Sequence, residues 1–192
     1  TSNMIRGIIF DCFGVLYHGS IGHLYELAPK KHHAELTNLS LSSDYGYISH
    51  DEYLKQVSDL IAISPADLQM IMNMDHIRNT AMVNYVRKAR SKYKIALLSN
   101  VGRSVINRLF SPEELNELFD TVVLSSEVGV VKPDVKIFSF TSDKLGISAE
   151  NCLMVDDLQN NIDGAIAAGM QGVVFSTTEA FVSDMKLLVG NL

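Results

Sequence analysis

Four short stretches of the chain carry side chains that could act together on a charged substrate: Asp11, Ser99-Asn100, Lys132 and the pair Asp156-Asp157. Three carboxylates brought side by side repel one another unless a cation is bound. Hard carboxylate oxygens favour magnesium, which takes one or two carboxylates, several waters and a substrate phosphate. A lysine facing the same place holds a phosphate as a point charge and screens the acids. The Ser99 hydroxyl and the Asn100 amide can donate to the same phosphate oxygens. Asp11 follows the apolar run Ile8-Ile9-Phe10 and precedes Gly14, so it stands where a buried strand ends and the backbone turns. It reads as a nucleophile. The chemistry these residue types imply is phosphoryl transfer from a small phosphorylated molecule to Asp11, with magnesium as cofactor.

The elements that would position these residues are legible from periodicity. Apolar runs at 7–10, 94–98, 120–124, 151–155 and 172–175 read as strands. Helical patterns at 105–110, 112–118, 135–145, 160–168 and 178–189 fall between and after them, with Gly146 and Gly169 as stops. The alternation predicts an α/β fold with a parallel sheet of about five strands and right-handed crossovers. In such a sheet the carboxyl ends converge on one crevice, which gathers all four polar stretches. Lys132 is expected in a loop before Pro133, with little core packing depending on it.

The interval 17–92 breaks the alternation. It shows no convincing strand and five helical patterns, over 21–27, 31–40, 50–61, 66–74 and 80–92. Ser49 with Glu52 is a capping box, and Ser64-Pro65 opens a helix with proline in its first turn. Tyr53, Leu54, Val57, Leu60 and Ile61 recur at helical spacing. The interval is too long for a crossover and too helical for a loop. It predicts an all-helical cap of residues 17–92 over a core made of 1–16 and 93–192.

Composition sets the bounds. The chain has 192 residues, 47% hydrophobic and 20% charged, enough for one core with an accessory unit. A net charge of -6 argues against nucleic acid or an anionic membrane as main partner. Cys12 and Cys152 match no metal spacing and suit a reducing, cytoplasmic setting. No apolar run is long enough to span a bilayer, and no signal-peptide pattern is evident. Thr1-Ser2-Asn3 ahead of Met4 are expected to be a cloning remnant. The expected partner is a small phosphorylated substrate, bound by a monomer or homodimer.

Over nearly its whole length the sequence resembles the haloacid dehalogenase superfamily. Asp11-Cys12-Phe13-Gly14-Val15 is similar to its first motif, Ser99-Asn100 to its second, Lys132-Pro133 to its third and Asp156-Asp157 with Asn161 to its fourth. Gly164-Ala165 and Ala168-Gly169-Met170 are also typical. The resemblance implies a Rossmann-like sheet and identifies the insertion as similar to the helical type-one cap. It implies Asp11 as nucleophile and Lys132 as catalytic and phosphate-binding lysine. It implies magnesium held by Asp11, the Phe13 backbone carbonyl and Asp157, with Asp156 as possible co-ligand and Asn161 orienting that set.

The sequence departs from the pattern at Phe13. Phosphatases of the superfamily carry a second Asp there as general acid and base, and a phenyl ring can do neither. General acid-base help is worth about 10²–10⁴-fold, so slow turnover is expected. The family's 2-haloacid dehalogenases resemble this chain in having an aromatic residue at that place, but lack the paired acids of the fourth motif. A metal-independent dehalogenase and a non-catalytic phosphate-binding protein are therefore the alternatives. His18 and His23, just beyond the first motif, are candidate replacements for the missing group. Arg103 is expected to be solvated, Glu127 to anchor the loop of Lys132, and Cys12 to be a packed, inert thiol.

Overall fold

The computed structural model describes residues 4–19 and 22–190. The chain runs β1 (Gly7–Phe10), β2 (Tyr17–His18), α1 (Gly22–Leu27), α2 (His33–Asp44), α3 (His50–Ile61), α4 (Pro65–Asp75), β3 (Ile77–Arg78) and α5 (Thr80–Ala89). It continues with β4 (Lys94–Ser99), α6 (Arg103–Leu109), α7 (Pro112–Leu118), β5 (Thr121–Leu124), the single turn α8 (Ser125–Val128) and α9 (Val135–Leu145). It closes with β6 (Cys152–Asp156), α10 (Gln159–Ala167), β7 (Gln171–Val174) and α11 (Thr178–Val189).

Five strands form one sheet in the order β5-β4-β1-β6-β7, every pairing parallel. β1 is central and fully buried, which is why it reads as an unbroken apolar run. Its side chains alternate between two layers. Ile8 and Phe10 join Leu97, Val155, Phe110 and Phe181 on one face. Ile9 joins Leu98, Met154, Ile137, Phe138 and Ile162 on the other. The register sets Phe10 beside Leu97 and Val155, so β1, β4 and β6 end nearly level. That level edge brings Asp11, Ser99 and Asp156 together.

The interval 17–92 is not entirely helical, contrary to expectation. β2 and β3 pair antiparallel, Tyr17 with Arg78 and His18 with Ile77. The chain leaves and re-enters the sheet layer here, and the two passing segments satisfy each other's backbone groups. Two residues per strand are too few to show a period in the sequence. The expected capping of α3 and α4 is present: Ser49 Oγ and Ser64 Oγ each accept a backbone N–H, at 3.1 Å, from Glu52 and Asp67. Helix α2 runs to Asp44, past the expected end at 40, and α8 was not foreseen. The expected start of α1 at Ile21 lies outside the described residues.

Packing separates the inserted helices. Leu24, Leu36, Tyr53, Leu54, Val57 and Leu68 make a cluster of their own. Met82, Val83, Val86 and Ala89 of α5 instead belong to the layer containing Ile8 and Phe10. We propose that the cap consists of α1–α4 and that α5 is part of the core. Among the described residues, no helix is long and apolar enough to cross a membrane.

Candidate active site

Asp11 sits one residue past β1, its N–H donating to Val155 O at 2.9 Å. The turn after it is tight: Cys12 O accepts from the N–H of Leu16 at 2.8 Å and of Tyr17 at 3.0 Å. Cys12 N–H in turn donates to Asp11 Oδ1 at 2.7 Å and fixes the carboxyl. Lys132 Nζ reaches across from the loop before α9, 2.9 Å from Asp11 Oδ1 and 2.6 Å from Asp156 Oδ2. The lysine is in a loop, as expected, but it is buried, 4% exposed. Two carboxylates draw it inside, since a buried ammonium persists only where it is paired.

Asp156 ends β6 fully buried. Its Oδ1 accepts from Leu158 N–H at 2.9 Å and Asn161 Nδ2 at 3.0 Å. Its Oδ2 accepts from Lys132 and, at 3.0 Å, from Asn161. Protein donors thus occupy Asp156, while Asp157 beside it is exposed. Gly14 lets Asp157 lie against the turn after β1: it has φ +90°, and a methyl there would stand 2.5 Å from Asp157 Oδ1 and closer to its other carboxyl atoms.

Asp11, Asp156 and Asp157 each offer a carboxylate oxygen, all within 4.8 Å of one another. Three acids against one lysine is a donor set that fits a hard divalent cation. The local electrostatics agree. Burial pushes the Asp11 carboxyl up to about 7, against the pull of Lys132, and Asp156 adds to the push. Burial and then Asp156 raise Asp157. Burial works to lower Lys132, but Asp11 and Asp156 outweigh it, so its pKa lies above the ordinary value.

The second stretch lies at the same sheet edge and reaches the loop of the lysine. Asn100 Oδ1 accepts from Lys132 N–H at 2.9 Å and its Nδ2 donates to Lys132 O at 3.1 Å. The amide grips the backbone of the lysine, because a side-chain amide matches both polar groups of one residue. Ser99 is the last residue of β4, buried and in register with Leu124.

The ring of Phe13 packs against His76 at the end of α4, centroids 4.8 Å apart. Nothing in the sequence pattern marks His76, a lone histidine at a helix end. Of the suggested replacements, His18 is exposed on β2 and His23 is paired with Asp75 at 2.9 Å. Arg103 is not simply solvated: two 2.8 Å bonds tie it to Glu127. Cys12 is buried, and burial holds its thiol well above the ordinary range.

A parallel sheet whose central strand ends at a buried carboxylate, with a lysine and two further acids converging on it, is an α/β architecture with one polar site at its carboxyl edge. A haloacid dehalogenase-like hydrolase family model matches residues 5–169, and the chain belongs to that family. It is 27% identical over 179 residues to D-ribitol-5-phosphate phosphatase of Bacteroides thetaiotaomicron, covering 83% of this chain and 86% of that one. It is 31% identical over 104 residues to Phosphatase MT3486 of Mycobacterium tuberculosis, covering 52% of this chain and 48% of the relative. The chain thus spans about half of the latter protein. Among solved structures, the HAD-family enzyme BT-2542 of B. thetaiotaomicron in complex with magnesium and inorganic phosphate superposes with TM-score 0.77 at 19% identity, covering 92% of this chain and 99% of that one.

Proposed function

We propose that this hydrolase is a magnesium-dependent phosphatase acting on a small phosphorylated metabolite through a phosphoryl group carried on Asp11. The observation that carries the reading is the buried lysine shared by Asp11 and Asp156, with Asp157 alongside. That arrangement combines a nucleophile, a phosphate-binding cation and acids enough for a metal. Relatives named as phosphatases, and a similar fold solved with magnesium and phosphate, support it.

Asp11 and Asp157, with the Phe13 carbonyl, would hold magnesium, while Asp156 holds Lys132 and is a co-ligand at most. When bound, the ion supplies positive charge that favours ionised Asp11 and the negative charge of the transferring phosphoryl group. Ionised Asp11 attacks phosphorus, and the bond to the leaving oxygen breaks. Lys132, gripped by Asn100 and Asp156, stabilises the oxygens that carry charge in that step. The Ser99 hydroxyl at the same sheet edge is a substrate-binding donor. Water then cleaves the bond between Asp11 and phosphorus, which restores the carboxylate and releases phosphate. Asn161 acts through Asp156, whose two oxygens it fixes.

Phe13 favours a second reading, a metal-independent 2-haloacid dehalogenase, in which Asp11 displaces halide from carbon. A screen of phosphorylated metabolites and 2-haloacids, each with and without magnesium, separates the two. Magnesium-dependent release of phosphate supports the phosphatase. Halide release indifferent to magnesium supports the dehalogenase, and no turnover in any arm leaves a binding protein.

A further inference from the structure

The chain enters the cap through β2 and returns through β3, and the two crossings meet where Tyr17 pairs with Arg78. Tyr17 also belongs to the turn that follows Asp11. Its carbonyl accepts from Gly14 N–H at 2.8 Å, and its own N–H donates to Cys12 O at 3.0 Å. Whatever holds Tyr17 therefore holds the backbone on both sides of Phe13.

The side chain of Tyr17 is held from the core. Its Oη donates to Leu109 O at 2.6 Å, and its ring meets Phe110 edge-on, centroids 5.4 Å apart. Arg78 closes the arrangement. Its Nη1 donates to Glu114 Oε2 at 3.1 Å and to Tyr17 Oη at 3.5 Å, while Nη2 donates to Glu114 Oε1. The guanidinium carbon lies 5.7 Å from the centroid of the Phe110 ring. Glu114 is fixed in turn, because its N–H donates to Ser111 Oγ at 3.2 Å in the first turn of α7. Exposed single ion pairs contribute little. This one is partly buried, forked over both carboxylate oxygens and set over an aromatic ring, a geometry that only arginine supplies.

We propose that Arg78 is a positioning residue of the active site, acting through Tyr17 on the turn that carries Asp11 and the Phe13 carbonyl. Its kinetic consequence rests on the phosphatase reading above; its effect on the turn does not. Without the fork, Tyr17 loses one of its partners, and the Cys12–Gly14 backbone it bonds is free to shift. A misplacement of about 1 Å can cost about 10²-fold in rate even when it originates away from the chemistry. Lys132 and Ser99 lie on other segments, so phosphate binding should depend far less on Arg78 than turnover does.

The test compares wild type with Arg78→Met, Arg78→Lys, Glu114→Gln and Arg87→Met, all checked for folding by thermal melt. Arg87 is the control: it lies 3.9 Å from Glu114 but bonds Glu117 and Asn84. The first readout is amide hydrogen exchange without metal. In Arg78→Met the amides of Gly14 and Tyr17 should exchange about 10-fold faster or more, while those of Ile9 and Phe10 in β1 keep wild-type protection. The second is calorimetry with magnesium, whose affinity should fall by about 10-fold, as for other groups that orient a ligand from behind. The third is kinetics on p-nitrophenyl phosphate, where kcat should fall by about 10–10²-fold with KM little changed. Arg78→Lys keeps the charge without the fork and should fall between wild type and Arg78→Met. Glu114→Gln should move in the same direction, and Arg87→Met should match wild type. Wild-type exchange at Gly14 and Tyr17 in a folded Arg78→Met would overturn the assignment. So would a uniform rise in exchange that follows a lowered melting temperature, a change in KM alone, or equal losses in Arg87→Met. If no phosphate ester is turned over even by wild type, the phosphatase reading fails, and local exchange with magnesium affinity still decides the role of Arg78.

Discussion

Gly14→Ala tests whether Asp157 and the turn after β1 form one metal site. The added methyl would stand 2.5 Å from Asp157 Oδ1. Unbonded heavy atoms settle near 3.5 Å or beyond, so the carboxyl must withdraw by about 1 Å. It is exposed and can do so at little cost in packing. The withdrawal takes its oxygen away from Asp11 and Asp156, now within 4.8 Å. Magnesium demands near-ideal octahedral geometry at about 2.0–2.1 Å, so a displaced ligand is lost or replaced by water. We expect affinity for magnesium to fall by at least about 10-fold. The backbone also bears a cost, since φ is +90° and a non-glycine residue in that region costs about 1–3 kcal/mol. Titration calorimetry with magnesium and urea unfolding of the same samples separate the two effects. Unchanged affinity in a folded variant would refute the placement of the metal between Asp157 and the first turn. A loss of affinity wholly explained by unfolding would remove the inference as well.

Further expectations follow from the same edge. Lys132→Met leaves Asp11 and Asp156 buried without their cation, so it should destabilise by about 3–5 kcal/mol in urea melts; a variant as stable as wild type would show that the lysine is not held as described. Phe13→Asp should raise turnover on alkyl phosphates by about 10²-fold if it folds, since it supplies the proton-transfer group that a phenyl ring cannot, and steady-state kinetics would read the gain. Without magnesium, stability should fall as pH rises from about 4 to 7, because Asp11 and Asp44 have folded-state pKa values near 7, above their unfolded values, and the folded chain binds more protons in that window. Urea melts at pH 5 and pH 7.5 that show the opposite order would contradict the burial of these two acids.

The sheet was legible because its inner strands β1, β4 and β6 are buried on both faces and read as apolar runs between helical patterns. Asp11, Asp156 and Asp157 were legible because each follows such a run, and Lys132 because it stands beside Pro133 in the loop before a helical pattern; parallel register does the rest. What the sequence hid is set by contact between distant segments. The β2–β3 ribbon is four residues long in total and has no period of its own. The membership of α5 depends on which cluster Met82 and Val86 enter, and either choice gives the same amphipathic pattern. The burial of Lys132 has no local signal beside Pro133; the two carboxylates facing it explain it. Asn100 turned out to be committed to the Lys132 backbone, a pairing across 32 residues that no local signal announces. His76 against Phe13, and Arg78 against Glu114, were invisible for the same reason.

The most direct test of the account is single-turnover acid quench with a phosphate ester and magnesium, followed by mass analysis of the peptide that carries Asp11. The expected result is a phosphoryl group on Asp11 that forms and decays with turnover, and is missing from Asp11→Asn. Phosphate release with Asp11 unmodified throughout, or with the group found on another residue, would contradict the assignment of Asp11 as nucleophile.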